Sequence, residues 1–298
     1  MIEKFSLGIF LRKYGTNDKC LEAIFILRFP NGVFCPVCNT DTTFYKIKGR
    51  QVYQDSFNHQ ISPLAGTIFE KSTTPLQYWF YAIFIMAVTR SGVSAKQLQR
   101  ELGVTYKTAW RMFQQIRKLM AQDNGILNGT VEIDETYVGG KGKNRAKVAN
   151  FNEIPKEIVW GAVERGGKAY LKHIPNTGKW TLIQQVREHI SPKAFVMTDE
   201  LAAYKRLYEF GYNNHQSVTH SSGEYVRGNV HNNNIENIWS HLKRGIYGVY
   251  RVVSKKYLQA YVDEYAFRYN NRNNQEKMFE TLLKQVAEVK VLRTTLTI

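Results

Sequence analysis

The chain has 298 residues, which is long enough for two or three domains and a sizeable buried core. Lys and Arg number 41 against 25 Asp and Glu, and the net charge of +16 favours a polyanionic partner, either nucleic acid or an acidic membrane surface. Three cysteines are too few for a disulfide framework and indicate a reducing compartment. The first residues show no sustained apolar region and no small-residue cleavage site, so they predict no secretory signal.

The first 90 residues predict a small cysteine-containing segment and then a core helix. Cys35 and Cys38 form a CPVC motif, which strand-like pieces such as TFYKI and RQVYQDSF follow. The longest apolar run, YWFYAIFIMAV at 78–88, is well short of the ~20 residues that a membrane-spanning helix requires. It therefore predicts a buried helix opened by Pro75, and the membrane interpretation is the weaker one.

The segment SAKQLQRELGVTYKTAWRMFQQIRKLM predicts two helices around a short turn at Gly103. Gln97, Leu98 and Leu102 would pack the first helix, and Thr105 would cap the second. Pairs of helices joined in this way bind DNA through the second helix, so the segment resembles a helix-turn-helix. The alternative is a solvated helical hairpin.

The second of these predicted helices begins with Tyr106, Lys107 and Arg111, where a recognition helix meets bases and phosphates. Against one acid, Glu101, the segment carries six bases, namely Lys96, Arg100, Lys107, Arg111, Arg117 and Lys118. This excess agrees with the charge of the whole chain and favours DNA as the partner.

A polar, Gly- and Asn-rich link at 121–129 precedes a change to strand-like patterns. TVEIDETYVG predicts a strand, and IVWGAVERGG with KAYLKHIPN predicts a hairpin. TLIQQVREHI predicts a helix, KAFVMTDE a buried strand, LAAYKRLYEFGY a helix and HQSVTH a short strand, with helix from Asn232 onward. The order β-β-β-α-β-α-β-α favours a mixed sheet covered by helices.

Three acids fall at matching places in this order. Asp134 lies in the first predicted strand, Asp199 at the carboxyl end of the fourth, and Glu236 on the first turn of the following helix. Adjacent first and fourth strands would bring the aspartates to one rim under Glu236, which is the arrangement of an RNase H-like core. Such a cluster suits two Mg²⁺ ions and phosphodiester cleavage, because hard cations activate a nucleophile and neutralise the leaving oxygen.

Neighbouring acids compete for these roles. Glu135 and Glu200 adjoin the two aspartates, and Glu132 shares the strand parity of Asp134. Asp199 could instead cap the helix predicted after it. The joint fit of the three acids to one topology is what favours them.

Bases near these acids are candidates for phosphate contacts. Lys243 follows Glu236 by seven residues, nearly two helical turns, so the two share a helix face, and Arg244 adjoins it. Further bases and aromatics extend to residue 257: Arg251, Lys255 and Lys256, with Tyr247, Tyr250 and Tyr257 between them. Bases track phosphates, whereas the tyrosines are better explained as core residues. The loop bases Lys141, Lys143, Arg145 and Lys147 are further candidates, with flexibility as the alternative. Histidines in loops mostly make structural hydrogen bonds, although His231 could reach a phosphate; the other such histidine is His220.

At these motifs the chain resembles the DDE-type transposases of bacterial insertion sequences, specifically the ISXO2-like group allied to the eukaryotic Merlin elements. The resemblance covers about residues 20–275 and is carried by CPVC, AGTIFEKS, VEIDETYVGGK, VMTDE, HNNNIENIWSHLKRGIYGVY and DEYAFRYNNR. It implies that Asp134, Asp199 and Glu236 bind Mg²⁺ or Mn²⁺, that the enzyme cuts at terminal inverted repeats, and that it joins the freed 3′ ends to target DNA. Pairing two ends implies at least a homodimer on DNA.

The chain departs from these relatives at a second Cys-x-x-Cys, which with the first pair forms a four-cysteine zinc ribbon. Asp55 and Asn58 occupy the second pair's positions here. Either Asp55 or His59 could complete a zinc site with Cys35 and Cys38. The alternative is a ribbon that has lost its metal, or a pair of ordinary thiols.

Together these patterns predict an α/β protein with an RNase H-like mixed sheet and flanking helices, preceded by a zinc-ribbon-like segment and a helix-turn-helix. The predicted domains are a degenerate ribbon at 1–65, the helix-turn-helix at 66–125, the catalytic domain at 126–285 and a tail at 286–298. The predicted function is that of a cytoplasmic, nucleoid-associated transposase acting on double-stranded DNA, with no membrane partner. A host nuclease or resolvase with the same core, and a non-catalytic DNA-binding regulator derived from a transposase, are the alternatives.

Overall fold

The computed structural model describes residues 5–121, 125–139, 156–218 and 226–288. Within these residues the chain forms two compact units, and the divisions fall after Leu119 and after Asn273. None of the helices in the described ranges is long and apolar enough to cross a membrane. The predicted loop contacts at Lys141, Lys143, Arg145 and Lys147, and His220, lie outside the described residues.

The first unit combines helices with two small antiparallel sheets. One sheet pairs β1 with β2, and the other has the order β3-β4-β5. Its elements up to the first division are α1 (Leu7–Tyr14), α2 (Asn17–Arg28), β1 (Val33–Cys35), β2 (Thr40–Thr42), β3 (Tyr45–Lys46), β4 (Tyr53–Gln54), β5 (Gln60–Ile61), α3 (Leu76–Val88), α4 (Ala95–Leu102) and α5 (Tyr106–Met120). Nearly every side of α3 is buried, as predicted for the apolar run behind Pro75.

The two helices α4 and α5 meet at the predicted turn. Gly103 ends α4 in the left-handed conformation with φ 66°, which glycine adopts without steric cost. Thr105 caps α5, since its Oγ1 accepts a hydrogen bond from the Thr108 N–H. Leu98 is fully buried, but the prediction that Gln97 packs inside is wrong: its side chain is exposed and donates to Glu101.

The second unit is built on a five-stranded mixed sheet with the order β10-β9-β6-β7-β8. Strands β6, β7 and β8 are antiparallel neighbours, whereas β9 runs parallel to both β6 and β10. The elements in chain order are β6 (Thr130–Val138), β7 (Glu157–Glu164), β8 (Ala169–Ile174), α6 (Lys179–His189), β9 (Phe195–Thr198), β10 (His215–Ser217), α7 (Asn233–Gly245) and α8 (Lys255–Asn270). The predicted mixed sheet with flanking helices is confirmed, and so is the hairpin between β7 and β8.

Different helices cover the two faces of this sheet. Side chains alternate along β6, so Val131 and Ile133 pack in the core that contains α6. Val138 packs in the core beneath α7 and α8, on the face that Glu132 and Asp134 share by parity. Both faces of the central strands are therefore buried, which explains their nearly continuous apolar sequences.

One predicted helix is wrong. The stretch LAAYKRLYEFGY forms turns and a single 3-10 turn, Leu207–Phe210, instead of an α-helix. Tyr204 and Leu207 are both fully buried, and the Leu207 N–H bonds to the Tyr204 carbonyl three residues back, which tightens the segment. Beyond α7 a π-helical turn, Ile246–Tyr250, leads into α8, and a last helix, α9 (Met278–Ala287), packs on α2 and α3 of the first unit.

Candidate active site

The register of the central strands places two aspartates side by side. Strand β6 pairs with β9 in parallel up to Glu132 opposite Met197, and the same register two residues further sets Asp134 opposite Asp199. The two carboxylates are close enough to interact, since the charge of Asp199 raises the pKa of Asp134. Both therefore lie at the carboxyl end of adjacent parallel strands.

Helix α7 brings the third acid to this edge. Glu236 lies in the first turn of α7, is exposed to solvent, and its charge also raises the pKa of Asp134. Trp239 lies three residues further on the same helical face and donates a 2.9 Å hydrogen bond from Nε1 to Asp134 Oδ2. Glu236 is thereby held beside Asp134 through a direct contact between α7 and β6.

A glycine on β7 makes room for this contact. Gly161 lies opposite Asp134 in the β6–β7 ladder, and a Cβ at that position would fall 2.5 Å from the indole of Trp239. The ring occupies the space that any larger residue would fill. The close approach of α7 to the sheet therefore depends on the absence of a side chain at Gly161.

The local electrostatics disfavour an ionised Asp134. Burial is the largest cause and, with the charges of Asp199 and Glu236, raises the pKa of Asp134 to about 6, although the Trp239 hydrogen bond opposes the shift. A cation would relieve this repulsion, and carboxylate oxygens are the ligands that Mg²⁺ prefers. The three carboxylates are set more loosely than the only group of donor atoms within 4.8 Å of one another among the described residues, which lies in the first unit.

The competing acids have other partners. Glu135 faces the opposite side of the sheet, where it accepts a hydrogen bond from the Tyr204 hydroxyl, and burial first, then the charges of Asp134 and Asp199, raises its pKa to about 8. Glu132 is fully buried and engaged by an arginine and by the start of α7. Asp199 accepts a 3.0 Å bond from the Leu201 N–H, so it caps a turn and not the helix that was predicted there.

The predicted DNA contacts on α7 and beyond differ in exposure. Arg244 is exposed and Lys243 half-buried, two helical turns beyond Glu236. Tyr250 donates to the buried Glu264, in agreement with a structural role, whereas the exposed Tyr247 donates to the Gly139 carbonyl. His231 also has a structural role, because its Nδ1 lies 3.1 Å from Arg165 and 3.4 Å from Glu132.

Most of the predicted bases of α4 and α5 lie on the surface. Tyr106 is exposed, and its ring lies 5.0 Å from the Lys96 ammonium. The exposed bases are Lys96, Arg100, Lys107, Arg111 and Lys118. Arg117 is a correction: it is 1% exposed and its guanidinium lies 5.8 Å from the Phe113 ring centre, so it belongs to the core.

The four-residue cluster of Cys35, Cys38, Asp55 and His59 lies in the first unit, and all its donor atoms are within 4.8 Å of one another. His59 Nδ1 is 3.5 Å from Cys35 Sγ, 3.2 Å from Cys38 Sγ and 3.1 Å from Asp55 Oδ2. Cys38 Sγ is 3.7 Å from the same Asp55 oxygen. A tetrahedral zinc ion separates its ligand atoms by roughly 3.3–3.8 Å. The cluster therefore fits zinc, with both Asp55 and His59 taking part.

The backbone explains why histidine stands one position beyond the missing cysteine. Asn58 adopts a left-handed conformation with φ 69°, and Asp55 Oδ1 accepts hydrogen bonds from the N–H groups of Phe57 and His59. This tight loop turns the chain so that His59, and not Asn58, points at the cysteines. Desolvation, followed by hydrogen bonds and charges from Cys35 and Asp55, raises the pKa of Cys38 to about 11.

Comparison with known proteins defines the class to which this fold and these sites belong. Residues 126–270 match the family described as ISXO2-like transposase domain, and residues 15–54 match the transposase zinc-ribbon domain. The chain belongs to the ISXO2-like transposases of mobile insertion sequences, as its motifs predicted. It is 30% identical over 278 residues to the "Uncharacterized protein in transposable element ISH50" of Halobacterium salinarum, an alignment that covers 87% of this chain and 92% of that one.

Proposed function

We propose that this chain is a DDE transposase that binds the terminal inverted repeats of its element, cleaves DNA strands there, and joins the freed 3′ ends to a target. The observation that carries the proposal is the convergence of Asp134, Asp199 and Glu236 from two adjacent strands and a covering helix. We further propose that the five-stranded unit is RNase H-like, which places the three acids in the arrangement that this chemistry requires.

These three acids would hold Mg²⁺, and their donor set of carboxylate oxygens fits that ion. Bound Mg²⁺ supplies activation of the attacking water or 3′ hydroxyl and neutralises the leaving oxygen. The chain contributes placement: β6 and β9 fix the two aspartates in register, and Trp239 orients Asp134 through its hydrogen bond. Exposure of Glu236 leaves the site open to a DNA strand.

The rest of the chain would find and hold DNA. We propose that α4 and α5 form a helix-turn-helix whose exposed Tyr106, Lys107 and Arg111 contact the element ends. Lys243 and Arg244 would contact phosphates beside the catalytic acids, and Lys141 and Lys143 keep the same proposed role. Synapsis of two ends would require at least a homodimer.

The four-residue cluster of the first unit would hold structural zinc. Two thiolates, an imidazole and a carboxylate make a complete tetrahedral set, which leaves no position for a substrate. The two-cysteine site predicted as one possibility is thus extended by Asp55 and His59, whose donor atoms lie at coordinating distances from the thiols. Such a site would fix the ribbon, whose strands have only two or three residues each.

A cleavage assay tests the catalytic assignment. The full chain is incubated with duplexes that carry the ends of its own element, in Mg²⁺ or Mn²⁺, and nicked and joined products are scored. Asp134→Asn and Glu236→Gln should abolish both products while end binding, measured by gel shift, is retained. The matched control is Glu188→Gln, which removes a carboxylate from the surface of α6 and should cleave like the wild type. Cleavage at an undiminished rate by either site variant would refute the proposal.

A further inference from the structure

Helix α7 begins on a buried acid supplied by another element. Glu132, on β6, has no exposed surface. Its Oε2 accepts hydrogen bonds from the N–H groups of Asn234 (2.8 Å) and Ile235 (3.2 Å), and its Oε1 accepts one from the Asn234 side chain (2.8 Å). The N–H groups in the first turn of a helix have no partner within the helix, so Glu132 serves as its cap.

The residue that occupies the N-cap position does not perform this role. Asn232 precedes α7, yet its side chain makes no capping hydrogen bond. It instead donates from Nδ2 to the carbonyl of Ile133, the residue between Glu132 and Asp134. Two consecutive residues of β6 therefore bind the start of α7, and the third, Asp134, binds Trp239 one turn later.

Arg165 holds the other side of Glu132. Its Nε donates to Glu132 Oε1 at 2.7 Å, and its two terminal nitrogens donate to the carbonyls of Asn229 and His231. These carbonyls belong to the segment that enters α7. One guanidinium thus joins the buried acid to the backbone that precedes the helix, a geometry that the planar fork of arginine allows and the single ammonium of lysine does not.

We propose that Glu132 and Arg165 are positioning residues that fix where Glu236 stands relative to Asp134. This inference rests on the function proposed above. Glu236 lies one residue beyond the N–H groups that Glu132 accepts, so a shift at the helix start moves Glu236 directly, and misplacement of about 1 Å in an active site reduces rates on the order of a hundredfold. Glu132 itself takes no part in binding the metal, because both its oxygens are occupied by protein donors.

Metal affinity in the absence of DNA tests this role. Mn²⁺ binding to the zinc-loaded full chain is followed by the electron paramagnetic resonance of free Mn²⁺. Glu132→Gln and Arg165→Lys should each raise the half-saturating Mn²⁺ concentration on the order of tenfold, since partners that orient metal ligands contribute about that much. Both variants are measured at a temperature where circular dichroism shows them fully folded, because a purely structural role would lower the melting temperature and leave the affinity of folded molecules unchanged.

Three comparisons make the result decisive. Glu164→Gln removes a half-buried carboxylate from the neighbouring strand β7 and should bind Mn²⁺ like the wild type. Arg165→Lys keeps both charges, so its loss of affinity would reflect geometry rather than electrostatics. Should Glu132→Gln and Arg165→Lys bind Mn²⁺ as tightly as the wild type while Glu236→Gln does not, the positioning role is wrong and the proposed function stands. Unchanged affinity in Glu236→Gln and Asp134→Asn would instead overturn the catalytic site, and this inference with it.

Discussion

Replacing Asp134 with Asn should stabilise the folded protein at neutral pH while removing its response to Mg²⁺. Burial and the charges of Asp199 and Glu236 raise the pKa of Asp134 from 3.8 to about 6. Each pKa unit corresponds to about 1.4 kcal/mol. Holding this carboxylate ionised above pH 6 therefore costs the folded state at most about 3 kcal/mol.

The pH dependence has a definite sign. Because the pKa of Asp134 is higher in the folded state than in the unfolded chain, folded molecules bind more protons between about pH 4 and 6. The free energy of unfolding of the wild type should therefore fall as the pH rises through that window. Asn is neutral at every pH, and its carbonyl can still accept from Trp239. The variant's advantage should be largest at pH 7.5 and should shrink as the pH approaches 4.

Hydrogen exchange of β6 and β7 peptides in increasing urea measures this difference in the second unit alone. The zinc cluster is left intact by omitting chelators. Any contribution from the raised pKa of Glu135 largely cancels, since Glu135 is present in both proteins. Mg²⁺ at a hundred times its dissociation constant should add about 2.7 kcal/mol to the wild type and nothing to the variant. A stability gap that is absent at pH 7.5, or equal at all pH values, would refute the electrostatic argument, and so would stabilisation of Asp134→Asn by Mg²⁺.

Three further predictions concern other parts of the molecule. Gly161→Ala places a methyl 2.5 Å from the Trp239 indole and should lower the strand-cleavage rate at least about tenfold with end binding retained, whereas Gly248→Ala, which has open space around it, should not. His59→Gln should release zinc to a colorimetric chelator faster than the wild type and lower the melting temperature; equal zinc content and release would contradict the four-ligand site. Lys107→Ala should weaken binding to end duplexes and reduce the slope of log K against log salt by about one, and an unchanged slope would remove Lys107 from the interface.

The central geometry of the site could be predicted from the sequence because it depends on regular structure. The β-branched pattern around Asp134 and the apolar strand that ends at Asp199 define two buried strands, and a parallel pairing of those strands aligns their carboxyl ends. Glu236 follows from the helical period of its neighbours, since Ile235, Ile238 and Trp239 form the buried stripe of α7. Strand order and helical period together determine which edge of the sheet receives the acids.

The sequence alone did not show the contacts that are specific to single side chains. Glu132 and Asn234 are 102 positions apart, and nothing in the local pattern around either one indicates that a strand residue caps the helix. His59 was left as one of two alternatives because ligand spacing assumes a regular turn, whereas the left-handed Asn58 shifts the donor by one position. The 3-10 turn at Leu207–Phe210 was misassigned because its apolar spacing of three also suits an α-helix.

The parity of β6 links anchoring to chemistry. Glu132 and Asp134 are two residues apart, so both side chains project from the same face of the strand, one to the first turn of α7 and the other to Trp239. Glu135 projects from the opposite face to Tyr204. A slip of one residue would exchange these faces, removing the cap of α7 and the aspartate at the same time. The register that aligns Asp134 with Asp199 is consequently the register that presents Glu132 to α7, so the helix carrying Glu236 docks correctly only when the aspartates are already aligned.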